Sequence, residues 1–163
     1  MSPSMKRIVR GAVDPVLTPV GSISGVRGDA VRMVGLTYDD GPDPVTTPAV
    51  LASLEQARTT ATFFMLAERV VRYPSIVMDV VAAGHEVALH GVDHQRLTSL
   101  APREVQERLV RGKAILQEVS GTTVRWFRAP YGAQNVGTYR AIRRAGLQSV
   151  VWTAATTSMT MLG

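Results

Sequence analysis

Apolar and polar positions alternate along this chain in two periods. Short runs rich in β-branched and aromatic residues, "VRMVGLTY" (31–38), "TATFFML" (60–66), "HEVALH" (85–90), "TVRWFRA" (123–129) and "LQSVVWT" (147–153), read as strands. Between them lie segments with apolar residues three and four apart, which read as helices. "TTPAVLASLEQA" (46–57) puts Val50, Leu51 and Leu54 on one face. "PSIVMDVVAAG" (74–84) opens on Pro74 and closes on Gly84. "APREVQERLVRGKAILQEVSG" (101–121) carries the stripe Val105, Leu109, Leu116 and Val119, and "NVGTYRAIRRAG" (135–146) ends on Gly146. Strands separated by single helices predict a parallel sheet with right-handed crossovers. Residues 1–30, rich in Pro, Gly and Ser and without a clean period, are expected to form an extended arm. Residues 31–153 are expected to form one α/β domain, and 154–163 an atypical tail.

The chain's 163 residues suit one domain with a real core. A net charge of +5 comes almost entirely from arginines scattered along the helical segments. With few aromatics among them, they resemble solvated faces more than a nucleic-acid track, while an anionic glycan stays compatible. The lack of Cys excludes disulfides, thiolate metal sites and a Cys nucleophile. No continuous apolar run precedes Asp14 and Pro15, so no signal peptide is expected and the default location is cytoplasmic. No stretch is apolar enough to predict a membrane span.

The polar chemistry gathers at predicted strand ends. Asp39 and Asp40 end the first strand, His90 ends the third with His94 four residues on, and Arg128 ends the fourth and enters "APYG". Sites in parallel α/β folds collect at the C-terminal ends of strands. Taken singly, "DDGP" serves as a turn, "HxxxH" as two unrelated histidines and "RAPYG" as a strand exit. Together they bring two acids, two imidazoles and a guanidinium to one rim. Two neutral imidazoles and one carboxylate make a divalent-metal set with a position left for water, and zinc is the expected ion. The other carboxylate is then free to act as a base. His85 is given no role, because at ~3.3 Å per residue it lies roughly 17 Å from His90, toward the opposite end of the sheet.

"TYDDGP", "HGVDH" and "RAPYG", in this order and spacing, resemble the first three motifs of the polysaccharide deacetylases with the NodB homology domain, carbohydrate esterase family four. "TATFFML" is similar to that family's second strand. The resemblance covers about residues 31–153 and implies a distorted (β/α) barrel, incomplete in this chain. It also implies metal-dependent removal of acetyl groups from N-acetylglucosamine polymers, such as chitin oligomers or peptidoglycan, or from acetylated xylan. Asp39 then matches the base, and Asp40, His90 and His94 match the metal ligands. Arg128 matches the residue that holds the base in place, and Tyr131 the position whose backbone N–H faces the oxyanion. Pro130 and Trp152 are expected to line the glycan groove. Gly91 departs from the Ser or Thr commoner after the first His.

The family continues with an Asp-rich motif and a Leu-x-His motif whose His is the general acid. Here no histidine follows His94 and no charged residue follows Arg144. A truncated or frame-shifted end is the expectation, with self-association through an open edge at "SVVW". The alternatives to a glycan deacetylase are a catalytically impaired glycan-binding pseudoenzyme and a metallohydrolase of small amides. The family often acts at the cell envelope.

Overall fold

Two runs of large apolar side chains build the centre of the sheet. A computed structural model describes Ser22 and residues 35–152 of the chain. In it Phe63, Phe64, Met65 and Leu66 of β2 (Thr62–Leu66) are all buried, as are Val87 to Gly91 of β3 (Glu86–Gly91). Strands buried on both faces are the mark of a parallel sheet covered by helices. β2 and β3 pair in parallel over their full lengths. β1 (Thr37–Gly41) flanks β2, and the two-residue strands β4 (Trp126–Phe127) and β5 (Gln148–Ser149) follow on the other side. The spatial order is β1-β2-β3-β4-β5, all parallel pairs. With consecutive strands always neighbours there is no point where the order reverses, so the sheet is an arc of barrel type and not a doubly wound one. β1 and β5 are its edges among the described residues.

The helices cover the arc. α1 (Thr46–Gln56) buries Leu54. α2 (Ala67–Arg72) and α3 (Pro74–Ala82) follow one another across Tyr73, and Pro74 starts the second. α4 (Pro102–Ser120) begins on Pro102, ends at the left-handed Gly121 (φ +66°), and turns Val105, Leu109, Gly112 and Leu116 inward. That spacing of four, three and four is one face of a helix. Gly112 admits Leu89, whose Cδ1 would stand only 3.1 Å from a Cβ at that position. α5 (Val136–Arg144) opens with a reciprocal cap, in which the Thr138 N–H donates to Asn135 Oδ1 and the Asn135 N–H donates to Thr138 Oγ1. Leu89, Leu109, Leu116, Phe127 and Ile142 meet in one core. No helix among the described residues is long and apolar enough to cross a membrane.

Several predicted bounds move. The first strand, expected at 31–38, runs from Thr37 to Gly41 and therefore contains both acids. Residues 31–34 of that expectation lie outside the described residues, as do the 154–163 tail and the expected arm, Ser22 apart. The fourth strand shrinks from 123–129 to two residues because the Val124 N–H donates to Gln117 Oε1 on α4 (3.1 Å), not to a neighbouring strand. The fifth, expected at 147–153, pairs only at Gln148 and Ser149. α2 was not expected. Val119 is only partly buried, while Gly112 takes a place in the inner face.

Leu116 is fully buried and Val110, on the same helix, is half exposed. Leu116→Ala should therefore lower unfolding free energy by about 2–5 kcal/mol, whereas Val110→Ala should stay within about 0.5 kcal/mol of the parent. Paired urea titrations followed by circular dichroism check the contrast.

Candidate metal centre

Successive side chains of a regular strand point to opposite faces, so two adjacent acids should not share a site. β1 breaks that rule. Its pairing with β2 steps from Tyr38↔Phe63 to Gly41↔Met65, three residues against two, and Asp40 has a positive φ of 68°. Asp is among the few residues with a side chain that tolerate this region. The irregularity brings Asp39 and Asp40 to one rim. β3 has a matching step, from Met65↔Leu89 to Leu66↔Gly91, with His90 in the extra position. Irregularities of this kind re-aim side chains next to sites. The third acid of the segment, Asp43, is structural: its Oδ1 accepts from the Val45 and Thr46 N–H groups at 2.9 and 2.8 Å and starts α1. Those amide bonds, that of Thr46 foremost, hold the Asp43 carboxyl below its usual range.

Asp40, His90 and His94 offer three donor atoms within 4.8 Å of one another. His90 Nε2 and His94 Nε2 lie 3.4 and 3.3 Å from Asp40 Oδ1. Donors bound at 2.0–2.1 Å around a tetrahedral ion stand about 3.3 Å apart, so these two separations suit a small divalent ion. His90 supplies a second argument. Its Nδ1 lies 2.8 Å from the Arg128 carbonyl oxygen, which only accepts, so Nδ1 carries the hydrogen. In neutral His90 the Nε2 lone pair then faces the Asp40 carboxylate. Two acceptors face each other favourably only with a cation between them, either a proton or a metal ion. The hydrogen bond from His90 in the protonated case is the main influence holding the Asp40 carboxyl below its usual range. Partial burial opposes it, and the charges of His90, His94 and Arg69 assist.

Arg128, 2% exposed, organises the other half of the site. Its Nη1 donates to Asp39 Oδ1 at 2.7 Å and to Thr37 Oγ1 at 2.9 Å. The guanidinium lies 4.1 Å from the centre of the Phe64 ring and 5.1 Å from that of Trp152, while its Nε has no partner among the described residues. Pro130 and Tyr131 form a tight turn after β4, with Tyr131 at φ +60°. Pro130 is buried, whereas the Tyr131 ring is exposed and meets the His94 ring edge-on at 4.4 Å. Trp152 lies over the same turn, against Gly132. Every expected site residue thus falls on one rim. His85 lies at the opposite end of β3, buried against Phe63 with neither ring nitrogen partnered among the described residues.

Sequence reasoning missed the brace behind His94. Asp93 accepts from Arg108 Nη2 on α4 and from the Gln95 N–H at 3.1 Å. Gly91, at φ +131°, lets the loop fold back on itself, since a Cβ there would stand 2.8 Å from the Asp93 carbonyl oxygen. An acid and a base fifteen residues apart, across a loop, give no periodic signal.

Residues 27–150 match the family profile described as polysaccharide deacetylase, and the chain belongs to that family. It is 39% identical over 133 residues to a chitooligosaccharide deacetylase from a Bradyrhizobium species, a match covering 81% of this chain and 58% of that one. A peptidoglycan-N-acetylglucosamine deacetylase from Bacillus cereus is 32% identical over 136 residues, covering 83% of this chain and 63% of the relative. Among solved structures, a family 4 carbohydrate esterase from Streptomyces lividans in complex with acetate aligns with a TM-score of 0.70 at 34% identity, over 73% of this chain and 62% of that one. Among the described residues the sheet is accordingly a distorted (β/α) barrel of the polysaccharide deacetylase type that does not close. The chain spans less than two thirds of the length of each of these relatives.

Burial works to raise the Asp93 carboxyl, but Arg108 and the Gln95 N–H outweigh it and the net shift is downward. A lowered folded value means stability that is complete above the ordinary carboxylate value of about 3.9 and is lost as pH falls through the folded one. The stability difference between the parent and Asp93→Asn should thus stay constant from about pH 7 to 5 and close below about pH 4. Thermal melts of both proteins across that range check it.

Proposed function

We propose that this chain is the metal-binding part of a hydrolase that removes acetyl groups from the amide nitrogens of an acetylated glycan. The observation that carries the reading is the Asp40–His90–His94 donor set, with both imidazole Nε2 atoms 3.3–3.4 Å from Asp40 Oδ1, beside a carboxylate already fixed by Arg128. The relatives named as deacetylases of chitooligosaccharide and of peptidoglycan support the substrate class. Asp40, His90 and His94 would hold the ion, with zinc favoured because two imidazoles and a carboxylate suit it. When bound, the ion supplies Lewis acidity to water and to the acetyl carbonyl.

The remaining chemistry belongs to the chain. Asp39 is the acid outside the ligand set, and its bond from Arg128 leaves its second oxygen to accept a proton. Water adds to the acetyl carbon as Asp39 takes that proton. The backbone N–H of Tyr131 donates to the developing oxyanion, a contact typically worth about 10²–10³ in rate. The C–N bond then breaks, the leaving nitrogen receives a proton, and the products are a free amine and acetate. Pro130 and Trp152 flank the substrate groove.

Asp39→Asn should retain one zinc per chain by elemental analysis while acetate release from tetra-N-acetylchitotetraose falls by about 10²-fold or more. Wild-type turnover in Asp39→Asn would refute the base assignment. His90→Ala should lose stoichiometric zinc, because two remaining ligands hold a divalent ion poorly. Equal zinc in His90→Ala and the parent would remove these residues as the ligand set.

A further inference from the structure

Around the metal centre the arginines are already committed, with one exception. Arg128 bonds Asp39, Arg69 lies 3.5 Å from Asp43, and Arg108 bonds Asp93. Arg96 is exposed and has no carboxylate within ion-pair distance among the described residues. It is nevertheless held in place. Its carbonyl oxygen accepts from the Ser99 hydroxyl at 2.7 Å, and its guanidinium carbon stands 4.8 Å from the centre of the Tyr131 ring. The Tyr131 ring, 58% exposed, packs in turn on His94. A single aromatic ring therefore separates a metal-ligand imidazole from an unneutralised guanidinium. Asp93, the acid nearest to it in sequence, is held by α4.

Stacking on an aromatic ring uses the face of a guanidinium and leaves its N–H edge free for two parallel bonds to a carboxylate. A guanidinium resting over a ring, on a backbone that is itself hydrogen-bonded, also loses less freedom on binding than a solvated arginine would. From this geometry we infer that Arg96, on its Tyr131 shelf, recognises a carboxylate on the sugar next to the acetylated one. The preferred substrate is then an acidic glycan, such as one with the lactyl ether of muramic acid in alternate units, over neutral chitin. The inference rests on the deacetylase reading and specifies its substrate.

Three tetrasaccharides of equal length test it: tetra-N-acetylchitotetraose, the alternating N-acetylglucosamine–N-acetylmuramic acid tetramer with free lactyl carboxylates, and the same tetramer with those carboxylates as methylamides. Arg96→Gln should lower kcat/KM for the acidic tetramer about tenfold, through KM, and change the two neutral probes less than twofold. The tenfold effect should shrink between low and high salt, as for any exposed charge contact. An equal fall on all three probes, or no fall on the acidic one, overturns the inference. Calorimetric titration of zinc-loaded Asp39→Asn and of the Asp39→Asn, Arg96→Gln double variant reads the same preference without turnover. If no probe releases acetate, the deacetylase reading fails. The calorimetric ratio then decides the Arg96 inference alone: a tighter Kd for the acidic tetramer, lost with Arg96, upholds it, and equal Kd values overturn it.

Discussion

A charge with almost no access to water sits at the centre of this fold. Arg128, which follows β4 directly, is reached by three further strands at once. Its amide donates to the Leu89 carbonyl and its own carbonyl accepts from His90 Nδ1, which ties β3 to the segment after β4. Its side chain bonds Thr37 and Asp39 on β1 and lies on Phe64 of β2. An unpaired buried charge costs about 3–5 kcal/mol, so Arg128 and Asp39 are required together. The same residue thus holds the Asp39 carboxylate through its side chain and sets which nitrogen of His90 carries the hydrogen through its backbone. The two halves of the site cannot drift apart without breaking contacts to this one residue.

The second constraint is geometric. Adjacent acids repel and, on a regular strand, diverge. The three-against-two pairing at Asp39 and Asp40 and the left-handed turn at Asp40 resolve the divergence. Backbone strain at Asp40 persists because the surrounding pairing determines it, a pattern expected at functional sites. The repulsion between the acids is offset on opposite sides, by Arg128 at Asp39 and, at Asp40, by the proton or metal ion that its two imidazole contacts call for.

Much of this was legible along the chain. Pro74, Pro102, Gly84, Gly121 and Gly146 punctuate the helices, and the stripe through Val105, Leu109 and Leu116 is unmistakable at helical period. The site candidates could be picked out because most of them lie at, or within a few residues beyond, the ends of strand-like runs. The bounds of the strands were not. Val124 gives its amide to a side chain on α4, and no local preference encodes that choice. The register steps at Asp40 and His90 were also hidden, because they arise between strands and not within them. Arg96 and Arg108 read as ordinary solvated arginines until the loop carrying His94 is seen to fold between a helix and a tyrosine.

The contact between Gly112 and Leu89 has a consequence for how this site tolerates change. Leu89 is the residue before His90, and it is fully enclosed. A methyl group at 112 would stand 3.1 Å from Leu89 Cδ1, so that enclosed side chain, next to His90, would have to give by a few tenths of an ångström. Sizes at the two positions are therefore tied: a larger residue on the helix needs a smaller one on the strand. Through that shared volume, a helix that contributes no residue to the Asp40–His90–His94 cluster limits which sequences can keep its spacing.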